Sequence, residues 1–196
     1  IANRGILATK TDGTMWAWGY NGAGVLGISE PGAPNQRSSP TQLPGTTWKT
    51  EMDSIGSTAY GRAAVKTDGT LWTWGQNGGA LGQNNQTNYS SPRQVPGTTW
   101  KEVVAGTTTM AATKTDGTLW AWGHNQHGQL GQGNRTYYSS PKQIPGTTWA
   151  SVRACNYRAM AVKTDGTLWT WGSNTYGNLG HNNKIKYSSP VQVGSA

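Results

Sequence analysis

One nine-residue motif occurs four times in this chain of 196 residues. It reads TDGT, then Leu or Met, then WAWG or WTWG, and its copies begin at Thr11, Thr67, Thr115 and Thr164, about every fifty residues. Repeats of ~20 to 50 residues are typical of solenoids and propellers, because a single unit cannot bury its apolar surface without neighbours. The period therefore predicts an array of similar units.

Each copy of the motif predicts a β-hairpin. Short apolar runs precede it (ILATK, AAVKT, MAATK and MAVKT), and Asp-Gly between two such runs is a strong hairpin signal. We expect type I′ turns, in which both central residues have positive φ, and this use in turns favours a structural role over calcium binding or acid catalysis for Asp12, Asp68, Asp116 and Asp165. The strand after each turn alternates large and small residues, which predicts a tryptophan core built from Trp16, Trp18, Trp72, Trp74, Trp120, Trp122, Trp169 and Trp171.

A second recurrent segment follows, SSPTQLPGTTW and its variants. Pro44, Pro96 and Pro145 are expected in turns, since proline is excluded from central strands. We interpret each unit as a four-stranded meander: strand A around SSPxQV, a PGTT turn, strand B (WxxVxA), strand C before the TDG turn, and strand D (LWxWG). Four-stranded antiparallel units repeated at this length predict an all-β fold of the β-propeller type.

The phase of the repeat sets the expected blade boundaries. A single propeller domain over 1–196 would contain a partial blade at 1–36, blades at about 37–87, 88–136 and 137–185, and a final strand at 186–196. With about four repeats, we expect either a piece of a larger ring or a ring completed by another copy, and a self-contained ring stays open as an alternative.

The unit KTDGTLWTWGxNxxGxLG, followed by SSPxQVPG, resembles the repeat of the regulator of chromosome condensation family. The resemblance covers nearly the whole chain and is clearest in WGHNQHGQLGQG from Trp122 and WGSNTYGNLG from Trp171. It implies a β-propeller, which in this family usually closes with seven blades. Members of the family include exchange factors for small GTPases, chromatin binders, inhibitors and bacterial proteins, so the resemblance implies a fold more than a function.

Differences among the repeats are confined to one predicted face. The PGTT and TDGT turns are near-identical, whereas the B–C and D–A connections differ in every copy. Tyr, Asn and Arg in those connections suit adaptable recognition, and loop drift without function is the competing interpretation. The candidate binding residues are Tyr20, Arg62, Tyr89, His124, His127, Arg135, Tyr137, Tyr157, Arg158, Tyr176, Lys184 and Lys186.

Charge and chemistry narrow the function classes. The net charge of +8 would steer an anionic partner towards the variable loops, where Arg37 adds to the cations and Glu30 is the clear acid. Nucleic acid is disfavoured because no recognition motif accompanies these scattered charges. We predict no catalytic residues, no cofactor and no metal, since His124 and His127 lack an accompanying carboxylate or thiol. The single cysteine, Cys155, is expected to be a small buried thiol.

Three functional hypotheses follow. The first is a non-enzymatic interaction module that binds a protein or glycan, as a structural or adhesion component of a bacterial surface or a phage or virus particle. The low charged fraction of 12% and the near-identical copies motivate it, and they favour an extracellular, cell-surface or virion location over the cytoplasm. The second is an intracellular regulator resembling the exchange-factor and chromatin-binding members. The third is a secreted enzyme inhibitor. No apolar run is long enough to insert in a membrane.

Overall fold

The structure, a computed structural model, describes residues 5–29, 36–59 and 61–194. These residues form four antiparallel sheets, which confirms the all-β, propeller-type prediction. The first sheet contains β1 (Gly5–Thr9), β2 (Met15–Tyr20) and β3 (Gln36–Gln42), and the second β4 (Ile55–Ser57), β5 (Gly61–Val65), β6 (Leu71–Gly75) and β7 (Tyr89–Val95). The third contains β8 (Trp100–Ala105), β9 (Thr109–Lys114), β10 (Leu119–Gly123) and β11 (Tyr138–Ile144), and the fourth β12 (Trp149–Cys155), β13 (Arg158–Lys163), β14 (Leu168–Gly172) and β15 (Tyr187–Gln192). Two 3-10 helices lie at Gly22–Gly24 and Met52–Ser54.

The grouping of strands differs from the predicted blades by one strand. Strand A does not form a hairpin with the strand B that follows it. In the second sheet, β7 pairs with β6, whereas β8 begins the third sheet. The PGTT segment therefore connects two sheets, and the order within a sheet is B, C, D, A. The final strand, β15, completes the fourth sheet instead of standing unmatched.

The proline of each strand A explains why this strand is the outer one. Pro92 and Pro141 lie inside β7 and β11, next to a register shift in the pairing with the neighbouring strand D. Proline lacks the N–H that a central strand needs on both sides, so it is tolerated at an edge and beside a bulge. Strand A would also lie at an edge in the predicted order A, B, C, D, so the proline fits either grouping.

The TDG hairpins are confirmed, but their turn type is not I′. Gly13 has φ +79°, whereas Asp12 is not among the described residues with positive φ. The N–H of Gly13 donates to the Lys10 carbonyl and the N–H of Lys10 to the Thr14 carbonyl, which is a type I turn followed by a left-handed glycine. The Asp12 carboxylate accepts bonds from both the N–H and the hydroxyl of Thr14, and these bonds lower its pKa. The same arrangement recurs at Asp68, Asp116 and Asp165.

The core consists of three apolar clusters, one at each junction between successive sheets. The second tryptophan of each LWxWG strand crosses the junction. The indole N–H of Trp74 donates to the Val25 carbonyl, that of Trp122 to the Ala80 carbonyl and that of Trp171 to the Gln129 carbonyl. All three indoles are fully buried. The first tryptophans are half-buried, and the indole N–H of Trp16, Trp72, Trp120 and Trp169 donates to the threonine hydroxyl of the adjacent turn.

The near-identical turns lie together on one face, as predicted. The N–H of Trp100, at the end of a PGTT segment, donates to the Gly69 carbonyl in the turn of the preceding sheet. In the same segment, the Thr99 carbonyl accepts from Thr115 in the turn of its own sheet. The other two PGTT segments repeat both bonds. We call this side of the molecule the clasp face, and the side with the B–C and D–A connections the loop face.

Candidate interaction face

The long loops of the loop face are braced from within. The Asn125 side chain accepts a hydrogen bond from the N–H of Leu130 and donates one to the Asn134 carbonyl. Asn174 makes the corresponding pair in the fourth sheet, and Asn77 makes it in the second. The asparagine of NxxGxLG therefore holds the D–A loops of the second, third and fourth sheets in a defined shape, and these loops form a preformed surface.

Half of the predicted binding residues are exposed on this preformed surface. Tyr20, Tyr157 and Tyr176 are 41%, 47% and 86% exposed. Three of the predicted basic residues are exposed as well: Arg135, Lys184 and Lys186. Sequence reasoning missed Ile185, which is 58% exposed between the two lysines. The preceding repeat has Thr136 at the same position, and this difference between the repeats could have identified Ile185.

Arg62 does not lie on the exposed face, which corrects the prediction. Its side chain is 1% exposed, and its guanidinium donates to the carbonyls of Gly61 and, across the first junction, Gly5. Burial lowers its pKa to about 10. Arg62 occupies the register position of Met110 in the next sheet, one of the buried core residues, and that correspondence was the missed signal.

Tyr89 is also a bracing residue. Its hydroxyl accepts from the Asn85 amide, and Tyr138 and Tyr187 do the same for Asn134 and Asn183. A tyrosine that recurs at the same place in three repeats indicates structure, so comparison of the repeats could have separated Tyr89 from the variable residues.

His124 and Tyr137 form a ring contact within the D–A loop of the third sheet. Their ring centroids are 5.6 Å apart, and the Tyr137 hydroxyl donates to the Gly78 carbonyl of the preceding sheet. Burial raises the pKa of Tyr137. Beside them lies a cleft of about 70 Å³ lined by His124, Thr58 and Thr107 among others. That volume has room for about two water molecules and none for a drug-sized ligand.

His127, in the D–A loop of the third sheet, and Tyr157, in the B–C connection of the fourth, form a ring contact between the two sheets. Their ring centroids lie 4.8 Å apart, and both side chains keep exposed surface. Arg158, at the start of β13, is half-buried next to them in the chain. This contact thus joins the loops of the third and fourth sheets.

Residues on or just before the strands B, at the sheet edges opposite strands A, make contacts that the sequence did not predict. The amine of Lys49 donates to the Lys101 carbonyl, and the amine of Lys101 donates to the Ala150 carbonyl. The Glu102 carboxylate accepts from the N–H of Val152 at 2.9 Å, and burial raises its pKa. Arg153 and Asp53 form an ion pair at 3.0 Å that joins the second and fourth sheets. These contacts hold the inner edges of the sheets together.

The described residues include the cysteine thiol and the side chains that could bind a metal ion, apart from those in the undescribed segments. Within residues 5–29, 36–59 and 61–194, no group of three or more His, Cys, Asp or Glu side chains could hold a metal ion. None of the helices in these ranges is long and apolar enough to span a membrane. Cys155 is exposed, so the prediction of a buried thiol is wrong, because the end of β12 extends into the B–C connection beyond the packed junction. Glu30 lies outside the described residues.

Successive antiparallel sheets with indoles across each junction, a clasp face and a loop face define a β-propeller repeat protein. The repeat of the regulator of chromosome condensation (RCC1) matches residues 68–112, 116–162 and 165–196, and a second form of that repeat matches 100–129 and 150–178. The chain belongs to the RCC1 repeat family.

Solved structures show the same fold. The structure of human WBSCR16 has a TM-score of 0.81 and 22% sequence identity, covering 98% of this chain and 51% of that one. A structure of Prp20 from Saccharomyces cerevisiae has a TM-score of 0.74 and 22% identity, covering 96% of this chain and 48% of that one. Yeast RCC1 (Prp20) bound to Kap60 gives 0.73 and 21%, with 96% and 47% covered. This chain therefore spans about half the length of these proteins.

Proposed function

We propose that this chain is a non-enzymatic protein-interaction module that binds its partner through the loop face. The observation that carries the proposal is the division of the molecule into two faces. The repeats agree where the sheets clasp one another and differ where braced loops present side chains to solvent. A rigid scaffold with diversified loops is the general arrangement of protein recognition surfaces.

The exposed side chains on the loop face suit an acidic protein surface. A tyrosine can bury roughly 150 Å² or more with little loss of conformational entropy, which supports Tyr157 and Tyr176 as apolar anchors. Arg135, Lys184 and Lys186 surround these anchors with positive charge, and long-range attraction of an acidic partner raises the rate of association. The effect weakens as salt shortens the Debye length.

For the location of this module we propose a cell surface or a virion, with the 12% charged fraction and the near-identical copies as support. A second candidate is an intracellular regulator. This chain shares its fold with Prp20, and the Prp20 structures concern binding to Kap60, Gsp1p and histones, which supports the second candidate. The two candidates differ in the partner that the loop face would take.

The test uses two charge-matched variants. The loop-face variant carries Arg135→Ala, Tyr157→Ala and Lys184→Ala, and the control carries Arg93→Ala and Lys142→Ala on outer strands A. Labelled wild-type protein and both variants are incubated with intact bacterial cells, with a purified small GTPase loaded with fluorescent nucleotide, and with nucleosomes. We expect saturable binding to one probe that weakens at least tenfold, about 1.4 kcal/mol, in the loop-face variant alone. Equal binding by all three proteins would refute the assignment of the face, and accelerated nucleotide release or nucleosome binding would replace the surface location with the intracellular one.

A further inference from the structure

The three junctions between successive sheets repeat the same atomic contacts. At each one, an indole N–H donates to a carbonyl of the preceding D–A loop, as Trp122 does to Ala80. The same loop makes a second bond across the junction. The main-chain N–H of the residue two positions after its Leu-Gly glycine donates to a serine carbonyl in strand A of the following sheet. These bonds join Ser29 to Ser90, Asn84 to Ser139 and Gly133 to Ser188. The glycine of the LG pair leaves room for the indole, since an added Cβ at Gly82 would lie 3.1 Å from the Trp122 nitrogen. The junction is a repeated, directional interface.

The first sheet exposes the half of this interface that faces a preceding sheet. Ile6 is 49% exposed, whereas Met110 at the same register position is fully buried. Ala8 is exposed and Trp18 is half-buried, whereas their counterparts Ala112 and Trp122 are fully buried. Ile6 and Trp18 are cross-strand partners, so they lie on one surface of the first sheet.

The fourth sheet exposes the complementary half, which faces a following sheet. Leu168 is 38% exposed, whereas its counterparts Leu71 and Leu119 are fully buried. Met160 is 37% exposed, against 4% for Ala111. Gly180 stands where Gly82 and Gly131 contact an indole, and the nearest side-chain atom to its added Cβ is instead Val193 Cγ1 of its own sheet.

We propose that a second copy of this chain docks head to tail on these end faces, so that two chains close one ring. In the docked pair the Trp18 indole N–H of one copy donates to the Asn178 carbonyl of the other, and the N–H of Asn182 donates to the Ser38 carbonyl. The loop that receives the partner is already in the required conformation. Asn182 has φ +54°, and Asn84, which makes the equivalent bond inside the chain, has φ +55°.

The fraction of a ring that one chain supplies supports two copies. The chain covers 51% of WBSCR16 and 48% of Prp20, whose folds it matches, so one chain provides about half of such a structure. An interface between unlike surfaces gives a closed ring when the rotation closes and an open filament when it does not. With four sheets from each of two chains, the proposed ring has eight sheets, one more than the seven blades usual in the family. This proposal concerns the end faces and is independent of the loop face.

The experiment places a charge on each end face. Ile6→Lys and Met160→Lys change residues that are already partly exposed in a single chain, so both variants should fold, and circular dichroism checks this. The matched control is Met52→Lys, which makes the same Met-to-Lys change at a residue that is 93% exposed away from both end faces. Each protein is studied by sedimentation equilibrium from about 1 to 500 μM.

We expect wild type and Met52→Lys to approach twice the chain mass of 20.9 kDa, with Ile6→Lys and Met160→Lys at least tenfold weaker in association. A wild-type monomer over the whole range overturns the proposal, as does a dimer that all three variants retain, and so do filaments, which would mean that the rotation does not close.

A second measurement reports on the proposed hydrogen bond itself. In protein labelled with ¹⁵N at the indole nitrogens, Trp18 is assigned from the resonance that disappears in Trp18→Phe. We expect its indole proton to exchange with solvent at least tenfold more slowly at 500 μM than at 5 μM, whereas the Trp122 proton stays protected at both concentrations. Unchanged exchange of Trp18 in a sample that is dimeric by sedimentation would show that the dimer forms elsewhere, and the proposal would fail.

Discussion

Truncation of Trp122 measures how much one inter-sheet indole stabilises the array. The side chain is fully buried, its ring centroid lies 6.3 Å from that of Trp100, and its N–H donates to the Ala80 carbonyl at 2.8 Å. Burial of ~200 Å² at ~25 cal/mol per Å² gives about 5 kcal/mol as an upper value. Core truncations of this kind cost about 3–5 kcal/mol, and we expect Trp122→Ala to fall within that interval.

The matched control for this measurement is Trp18→Ala. Trp18 holds the same position in the first sheet but is only half-buried, so about half the area is lost and we expect about half the cost, about 1.5–2.5 kcal/mol. Both are measured by urea unfolding followed by far-ultraviolet circular dichroism at about 1 μM, where two chains would be dissociated. A loss below ~1 kcal/mol at Trp122, or equal losses at both tryptophans, would refute the account of the indole as a junction residue.

Four further predictions test other parts of the structure. Asp116→Ala should lower the melting temperature at pH 7 and remove part of the acid sensitivity, because the lowered pKa of Asp116 gives stability that is present above its unfolded pKa and lost as the pH falls through the folded one. Burial raises the pKa of Glu102, so the wild-type protein should lose stability as the pH rises through that pKa and the buried carboxyl becomes charged. Glu102→Gln should reduce this loss, and equal dependence of stability on pH in the two proteins would contradict the prediction. Gly82→Ala should destabilise the fold more than Gly180→Ala in urea unfolding, since both glycines have positive φ but only Gly82 adjoins an indole. Cys155 should react fully with a maleimide reagent in the native state, and protection until denaturation would contradict its exposure.

The sequence predicted the strands and the tryptophan core, because both depend on local periodicity. Alternation in LWxWG determines which side chains share a sheet surface, and Asp-Gly determines where the chain reverses. The sequence did not predict which sheet receives strand A. Both a hairpin through PGTT and a crossover to the next sheet satisfy the local pattern. The pairing of β7 with β6 and the bond between Trp100 and Gly69 establish the crossover, and both depend on tertiary structure.

The candidate site was predictable in location but less so in membership. Loop variation identified Tyr157 and Tyr176, which the structure shows to be exposed. It included Arg62 because an arginine near a loop is ordinarily exposed, whereas here its guanidinium meets main-chain carbonyls inside a junction. Recurrence within the chain would have reassigned Tyr89, because a residue that agrees among the repeats makes the same structural contact in each.

The clasp has a consequence for how such proteins change over evolutionary time. The TDGT turns of the second and third sheets each contact the PGTT segment that leads into their own sheet and the one that leads into the following sheet, so these near-identical residues belong to the joint between two units. A duplicated unit inserted by recombination would meet the same partner on either side and would need no new contact surface. Arrays can therefore gain or lose units in a single genetic event, while each unit's outward loops accumulate substitutions independently of the joints that keep it in place.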